Sequence, residues 1–236
     1  MPNAASFLAL EPAAPRSMRS APARDATRAL RRFAEALLQG PADDVLALLA
    51  DGAAVDDPRA GRVCGEGALR RYADAWRSWV RRHDGELEHV AETRSAQRSI
   101  AEHVLHLVVD GRLVALPLAL VGERSSGPLS AVRVYHATAA LTGRGGRPPL
   151  LASAPLLLPK LLRNGEGTLA APGVDVEPCT VTDDGVRCAL ECNLVTAEGP
   201  RVARSGGLVV VERATGGRAW SPRLYHDRPA PALAAA

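Results

Sequence analysis

The chain has 236 residues, 47% hydrophobic and 23% charged, which is enough for one large domain or two small ones with a buried core. A net charge of only +3, with arginines and acids interspersed, speaks against a nucleic-acid-binding protein. No apolar run reaches about 18 residues and no cationic start leads into an apolar core, so neither a membrane span nor a secretory leader is expected; four cysteines without C-x-x-C spacing fit reduced thiols and a cytoplasmic location.

Residues 1–22, rich in Ala, Pro and Ser without a period, read as a disordered tail. Leu30, Phe33, Ala34, Leu37 and Leu38 recur at helical spacing and predict a helix from Asp25 to Gln39, stopped by Gly40-Pro41. A second short helix is expected over Asp43–Leu49, then a turn at Asp51-Gly52 and a short extended piece from Ala53 to Asp57. Leu69, Tyr72, Ala73, Trp76 and Val80 share one side of a third helix, Glu66–Arg82. Four strands follow: Leu87–Thr93, Ile100–Val109, Leu113–Val121 and Leu129–Ala137, with Asp110-Gly111 as a hairpin turn. They are apolar on both faces, whereas an antiparallel sheet with one wet face alternates. Both faces therefore need cover, one from the helices and the other from a second sheet.

The Gly/Arg/Pro-rich stretch after residue 141 reads as a linker, 142–165, with at most one short helix in Leu150–Leu162. Strands return at Val174–Val181, Arg187–Val195, Arg201–Val211 and Ala219–Tyr225, with turns at Asp183-Asp184-Gly185 and Gly216-Gly217. The two halves also match in sequence. Glu102 in AEHVL corresponds to Glu191 in LECNL, and Arg133-Val134-Tyr135-His136 to Arg223-Leu224-Tyr225-His226, at offsets of about 90 residues. This implies an internal repeat whose second copy lacks the helices and needs a surface to bury its face. Glu102, Arg133, Glu191 and Arg223 fall out of phase with the helix-facing positions. They are expected to form a charge network between the two sheets, since buried charges persist when paired.

The stretch Phe33–Trp76, with helix, short helix, Val55-Asp56-Asp57-Pro58 and helix in that order, resembles the SnoaL-like and ketosteroid isomerase-like proteins of the nuclear transport factor 2 superfamily. The endings SAVRVYH and SPRLYHD resemble that superfamily's last strand. The resemblance implies an α+β fold in which three N-terminal helices close a cone-shaped, curved antiparallel sheet over residues 23–141. A degenerate, mostly-β second copy over 166–228 would pack on it sheet on sheet as an intrachain pseudo-dimer, before a tail at 229–236. In ketosteroid isomerases the general-base aspartate lies in a Val-Glu-Asp-Pro stretch, so Asp57 falls on the base. The oxyanion-hole positions hold Phe33 and the apolar run Leu118–Leu120, a departure from steroid isomerase chemistry.

The expected catalytic residues are Asp57, His103 and Tyr72. Asp57 is either a base whose pKa is raised by apolar surroundings, or a carboxylate that caps the turn before Pro58 or pairs with Arg59 or Arg62. His103 is either an acid–base partner on the pocket face or a hydrogen-bonded core histidine, and His106, three residues on, faces the sheet interface. Tyr72 and Trp76 are i, i+4 on one helix, and the Tyr72 hydroxyl could reach Asp57. Trp76, Leu105, Leu118 and His136 are the expected substrate-binding residues, with His136 at the pocket mouth or on an exposed strand end. No H-E-x-x-H, C-x-x-C pair, G-x-S-x-G or phosphate loop is present, so no metal and no cofactor is expected.

These readings imply a cofactor-independent acid–base enzyme acting on a hydrophobic small molecule. A cyclase, isomerase, dehydratase or epoxide hydrolase of polyketide-type natural-product biosynthesis would fit. The alternative is a non-catalytic small-molecule-binding or scaffold protein of the same fold. The expected partners are a small-molecule substrate, no nucleic acid and no membrane, in a monomer or homodimer.

Overall fold

A computed structural model describes residues 21–124, 127–137, 151–152, 174–198, 201–212 and 222–226. All of the expected linker but residues 151–152, the Gly216-Gly217 turn, the C-terminal tail and nearly all of the N-terminal tail lie outside these residues. Helix α1, Ala21–Gln39, begins four residues before Asp25 and takes in two residues of the expected tail. It ends at Gly40, where a Cβ would stand 2.9 Å from the Ala36 Cα. Helix α2 is Ala42–Ala47 and helix α3 is Glu66–Arg82.

The first sheet contains β1 (Leu49–Asp57), β2 (Gly61–Cys64), β3 (Glu86–Arg94), β4 (Arg98–Val109), β5 (Arg112–Glu123) and β6 (Leu129–His136). Their order is β2-β1-β6-β5-β4-β3, with β1 and β6 parallel and every other pair antiparallel. Asp51-Gly52, expected as a turn, lies inside β1. Register with β6 jumps there from Leu49↔Leu129 to Ala54↔Ala131, and Gly52 takes φ 73° to make the bulge. The Asp110-Gly111 turn has positive φ at both residues, as a two-residue hairpin requires.

The apolar stripes of α1 and α3 bury against one face of this sheet. Leu30, Phe33, Leu37, Leu69, Trp76 and Val80 join Ala101, Leu105, Leu107, Leu118, Leu120 and Val134 in a single core. Helix α1 lies so close that a Cβ on Gly122 would meet Leu30 and Leu129 at 2.9 Å.

The second sheet contains β7 (Val174–Asp183), β8 (Arg187–Glu198), β9 (Arg201–Glu212) and β10 (Pro222–His226), in the order β10-β9-β8-β7. It reproduces the arrangement of β6-β5-β4-β3. Even the bulge recurs: the first sheet pairs His89↔His103 and then Ala91↔Glu102, and the second pairs Pro178↔Cys192 and then Thr180↔Glu191.

The two sheets pack face to face through Ile100, Ala119, Val121 and Tyr135 against Ala189, Leu208, Val210 and Tyr225. Two charge clusters cross this layer. Glu191 accepts from Arg133 Nε at 2.6 Å and Nη2 at 2.8 Å, from the Tyr135 hydroxyl at 2.8 Å and from Thr180 at 2.7 Å. In reciprocal fashion, Glu102 accepts from Arg223 Nε at 2.6 Å and Nη2 at 2.9 Å, and from the Tyr225 hydroxyl at 2.7 Å. Each half supplies one glutamate and one Arg–Tyr pair to the other. The arginines also reach back to Glu123 and Glu212, which are themselves paired with Arg98 and Arg187. The network expected from the sequence is present. Burial alone would lower the pKa of the Arg133 guanidinium, but the Glu191 carboxylate raises it above its ordinary value.

His106 is a correction. It is not buried between the sheets; its side chain is 35% exposed and meets Glu88 at 2.8 Å. No helix of the described residues is long and apolar enough to cross a membrane.

Candidate active site

Asp57 ends β1 under helix α3, and its side chain has no solvent exposure. Oδ1 accepts from the backbone N–H groups of Arg59 at 2.7 Å and Ala60 at 3.0 Å, which ties the Pro58 turn to the strand. Oδ2 accepts from the Tyr72 hydroxyl at 3.0 Å and the Trp76 indole N–H at 3.1 Å. Tyr72 and Trp76 reach one oxygen together because they lie one helical turn apart on α3. The Asp57 carboxylate both caps the turn and anchors the helix.

His136, at the end of β6, is buried, and its Nε2 lies 3.9 Å from Asp57 Oδ2. This is ion-pair range and too long for a hydrogen bond. The Trp76 ring meets the His136 ring edge-on, with centroids 5.5 Å apart. The exposed strand-end alternative for His136 is thus corrected. β6 runs beside β1, so its last residue ends up at the carboxylate.

The expected rise in the Asp57 pKa is also reversed. Burial by itself raises it, but His136 and the backbone N–H groups of Ala60 and Arg59 bring it down to about 2. Asp57 is therefore ionised across the neutral range. Tyr72 moves the opposite way: burial, followed by the charge on Asp57, holds its hydroxyl protonated well above the ordinary tyrosine value.

His103 faces the helices from the middle of β4 but does not join this cluster. It is two strands from His136, with Leu118 of β5 between them: the pairs are His103↔Leu118 and Leu118↔His136. That places the two histidine Cα atoms about 10 Å apart. Neither ring nitrogen of His103 or of His136 has a hydrogen-bond partner. Burial, with His89 and Arg31 adding to it, lowers the pKa of His103 to about 4 and keeps it neutral.

Leu105 is 0% exposed, Leu118 2% and Trp76 5%, so all three are buried between helices and sheet. Asp56 points away from the centre and pairs with Arg62 at 3.3 Å. Among the described residues no group of three or more His, Cys, Asp or Glu side chains could hold a metal.

Sequence reasoning took Arg59 only as a possible partner of Asp57 and missed Trp79. Arg59 lies over the indoles of Trp79 and Trp76 at 4.9 and 5.7 Å. The signal was Trp79 itself, one turn from Trp76 in a chain with only 3% aromatic residues.

No protein-family model and no curated protein matches the chain. Several solved structures are similar to about half of it. A protein from a soil-derived mobile gene cassette is 17% identical over 51% of this chain and 95% of its own, with a TM-score of 0.44. An M. tuberculosis LEH-like epoxide hydrolase is 22% identical over 51% and 89%, with a TM-score of 0.41. A protein with a ketosteroid isomerase-like fold from Catenulispora acidiphila, solved in complex with trimethylamine, is 13% identical over 49% and 89%, also at 0.41. The solved structures similar to this chain thus include ketosteroid isomerase-like, epoxide hydrolase and other nuclear transport factor 2-like proteins.

Proposed function

We propose that the chain is a tandem nuclear transport factor 2-like protein whose helix-covered half is a cofactor-independent acid–base enzyme for a hydrophobic small molecule. The second half serves as that half's built-in partner subunit. The observation that carries the enzyme reading is the pair of buried imidazoles, His103 and His136, on one face of the sheet with no hydrogen-bond partner at any ring nitrogen. Buried polar groups without partners are costly, and a purely structural core has no use for them.

In this reading Asp57 is not the base. Its four donors and low pKa suit a fixed negative charge beside the His136 ring. His136 moves the proton. His103, held neutral, polarises or reprotonates the far end of a molecule lying over Leu118. Isomerisation, cyclisation, dehydration and epoxide opening all use such a pair.

The second reading, a non-catalytic scaffold, is favoured by the apolar burial of Leu105, Leu118 and Trp76 around the two histidines. One experiment separates the two. A panel of apolar ketones, epoxides and secondary alcohols is titrated into the 15N-His-labelled chain and assayed for turnover. The enzyme reading predicts that a turned-over compound shifts the ring signals of both His103 and His136, and that His136→Asn lowers its rate about 100-fold or more without unfolding the chain. Failure of every compound to shift either ring would establish the scaffold reading.

A further inference from the structure

The turn after Asp57 places a cation on two aromatic rings. Pro58, Arg59 and Ala60 cross from β1 to β2, and Gly61 completes the reversal at φ 72°. The exposed Arg59 guanidinium comes to rest 4.9 Å from the Trp79 ring centroid and 5.7 Å from that of Trp76. The two indoles meet at 85° with centroids 5.6 Å apart and form a two-walled corner. Among the described residues the Arg59 side chain makes no hydrogen bond or ion pair, and the rings are its contacts.

Behind the corner lies a full negative charge. The Trp76 indole N–H donates to Asp57 Oδ2, so the ring that faces a cation on one side is polarised by a carboxylate at its edge. The four groups that donate to Asp57 are all uncharged, so no arginine or lysine neutralises it directly. His136 faces Asp57 from the strand side at 3.9 Å, and Arg59 adds a second cationic group on the ring side. Both carboxylate oxygens already accept two hydrogen bonds each. A ligand rich in N–H donors would find no acceptor, whereas a methylated ammonium needs none and presents an apolar shell to the indoles.

We infer that the Trp76–Trp79 corner above Asp57 is a binding site for organic cations of the alkylammonium class, with Arg59 as a displaceable internal occupant. The inference rests on reading the Asp57 centre as a ligand site and adds the charge class of what that site admits.

The test is calorimetric titration of the full-length chain with choline and with 3,3-dimethylbutan-1-ol, the same shape without the charge. Arg59→Ala should bind choline about tenfold more tightly than the wild type, and the neutral alcohol about tenfold more weakly than choline. Adding Trp79→Ala should abolish the gain, with circular dichroism confirming that each variant is folded. An Arg59→Ala chain that binds choline no better than the wild type, or binds both compounds equally, overturns the inference. Choline binding to His136→Asn keeps the two proposals apart. It persists if only the proton-transfer reading is wrong. If only the cation site is wrong, choline fails while apolar compounds still shift the His103 and His136 signals.

Discussion

The two sheets share strand order, a bulge at the same place and the same interface triad of glutamate, arginine and tyrosine, yet they differ on the opposite face. In the first sheet that face carries His103 and Leu105 beneath three helices; at the matching positions the second sheet has Cys192 and Leu194. Among the described residues, the first half alone brings an aspartate, a tyrosine and a tryptophan together at the end of a strand. What both halves retain is the surface where they meet, and what only one retains is the polar centre. On the proposed reading this is the division of labour between a working copy and a copy kept as its partner.

The comparison breaks most visibly at the crossing arginines. The Arg133 side chain is 6% exposed and Arg223 is 27% exposed, although each pairs with a nearly fully buried glutamate. Arg133→Met leaves the Glu191 charge buried with only hydroxyl donors and should cost about 3–5 kcal/mol in urea unfolding. Arg223→Met should cost less, about 2 kcal/mol, because that end of the network is reached by water. Equal losses would mean that the two clusters are interchangeable.

The helix-facing difference is sharpened by exchanging its residues. His103 is neutral in the folded chain down to about pH 4 but charges near 6.5 once unfolded. The unfolded state therefore binds the extra proton between these values, and stability falls as pH drops through that window, by about 3 kcal/mol. His103→Cys, which installs the residue of the second sheet, should remove this slope in unfolding curves recorded from pH 7 to 4. For Asp57, lowered to about 2, the sign also favours the folded state at higher pH. Its contribution is complete above about pH 4 and is lost as pH falls towards 2, and it amounts to about 2 kcal/mol. Asp57→Asn should flatten the acid limb of the stability profile below pH 4.

Much of the fold was legible because it rests on periodicity and turn chemistry. The five buried positions of α3 are the five that recur at helical spacing, and the repeat placed Glu102, Arg133, Glu191 and Arg223 on the interface face. The features that were not legible depend on long-range pairing. Asp51-Gly52 has the composition of a turn, but β1 uses it as a bulge against β6. His136 reads as a strand end, and only the parallel β1–β6 pairing, between segments some 80 residues apart, brings it to Asp57. The direction of the Asp57 shift was misread for a similar reason. Apolar neighbours are visible in sequence, whereas the groups that outweigh them are His136 at the end of β6 and the N–H groups of the Pro58 turn, whose geometry is not.

Charges paired across the sheets hold the two halves together, and a double-mutant cycle of Arg133→Met and Glu191→Gln measures how strongly. Urea unfolding of the four proteins should give a coupling of about 2 kcal/mol or more between the two sites. Additive losses, within about 0.5 kcal/mol, would mean that the apolar layer alone joins the sheets and that the reciprocal network is incidental to their union.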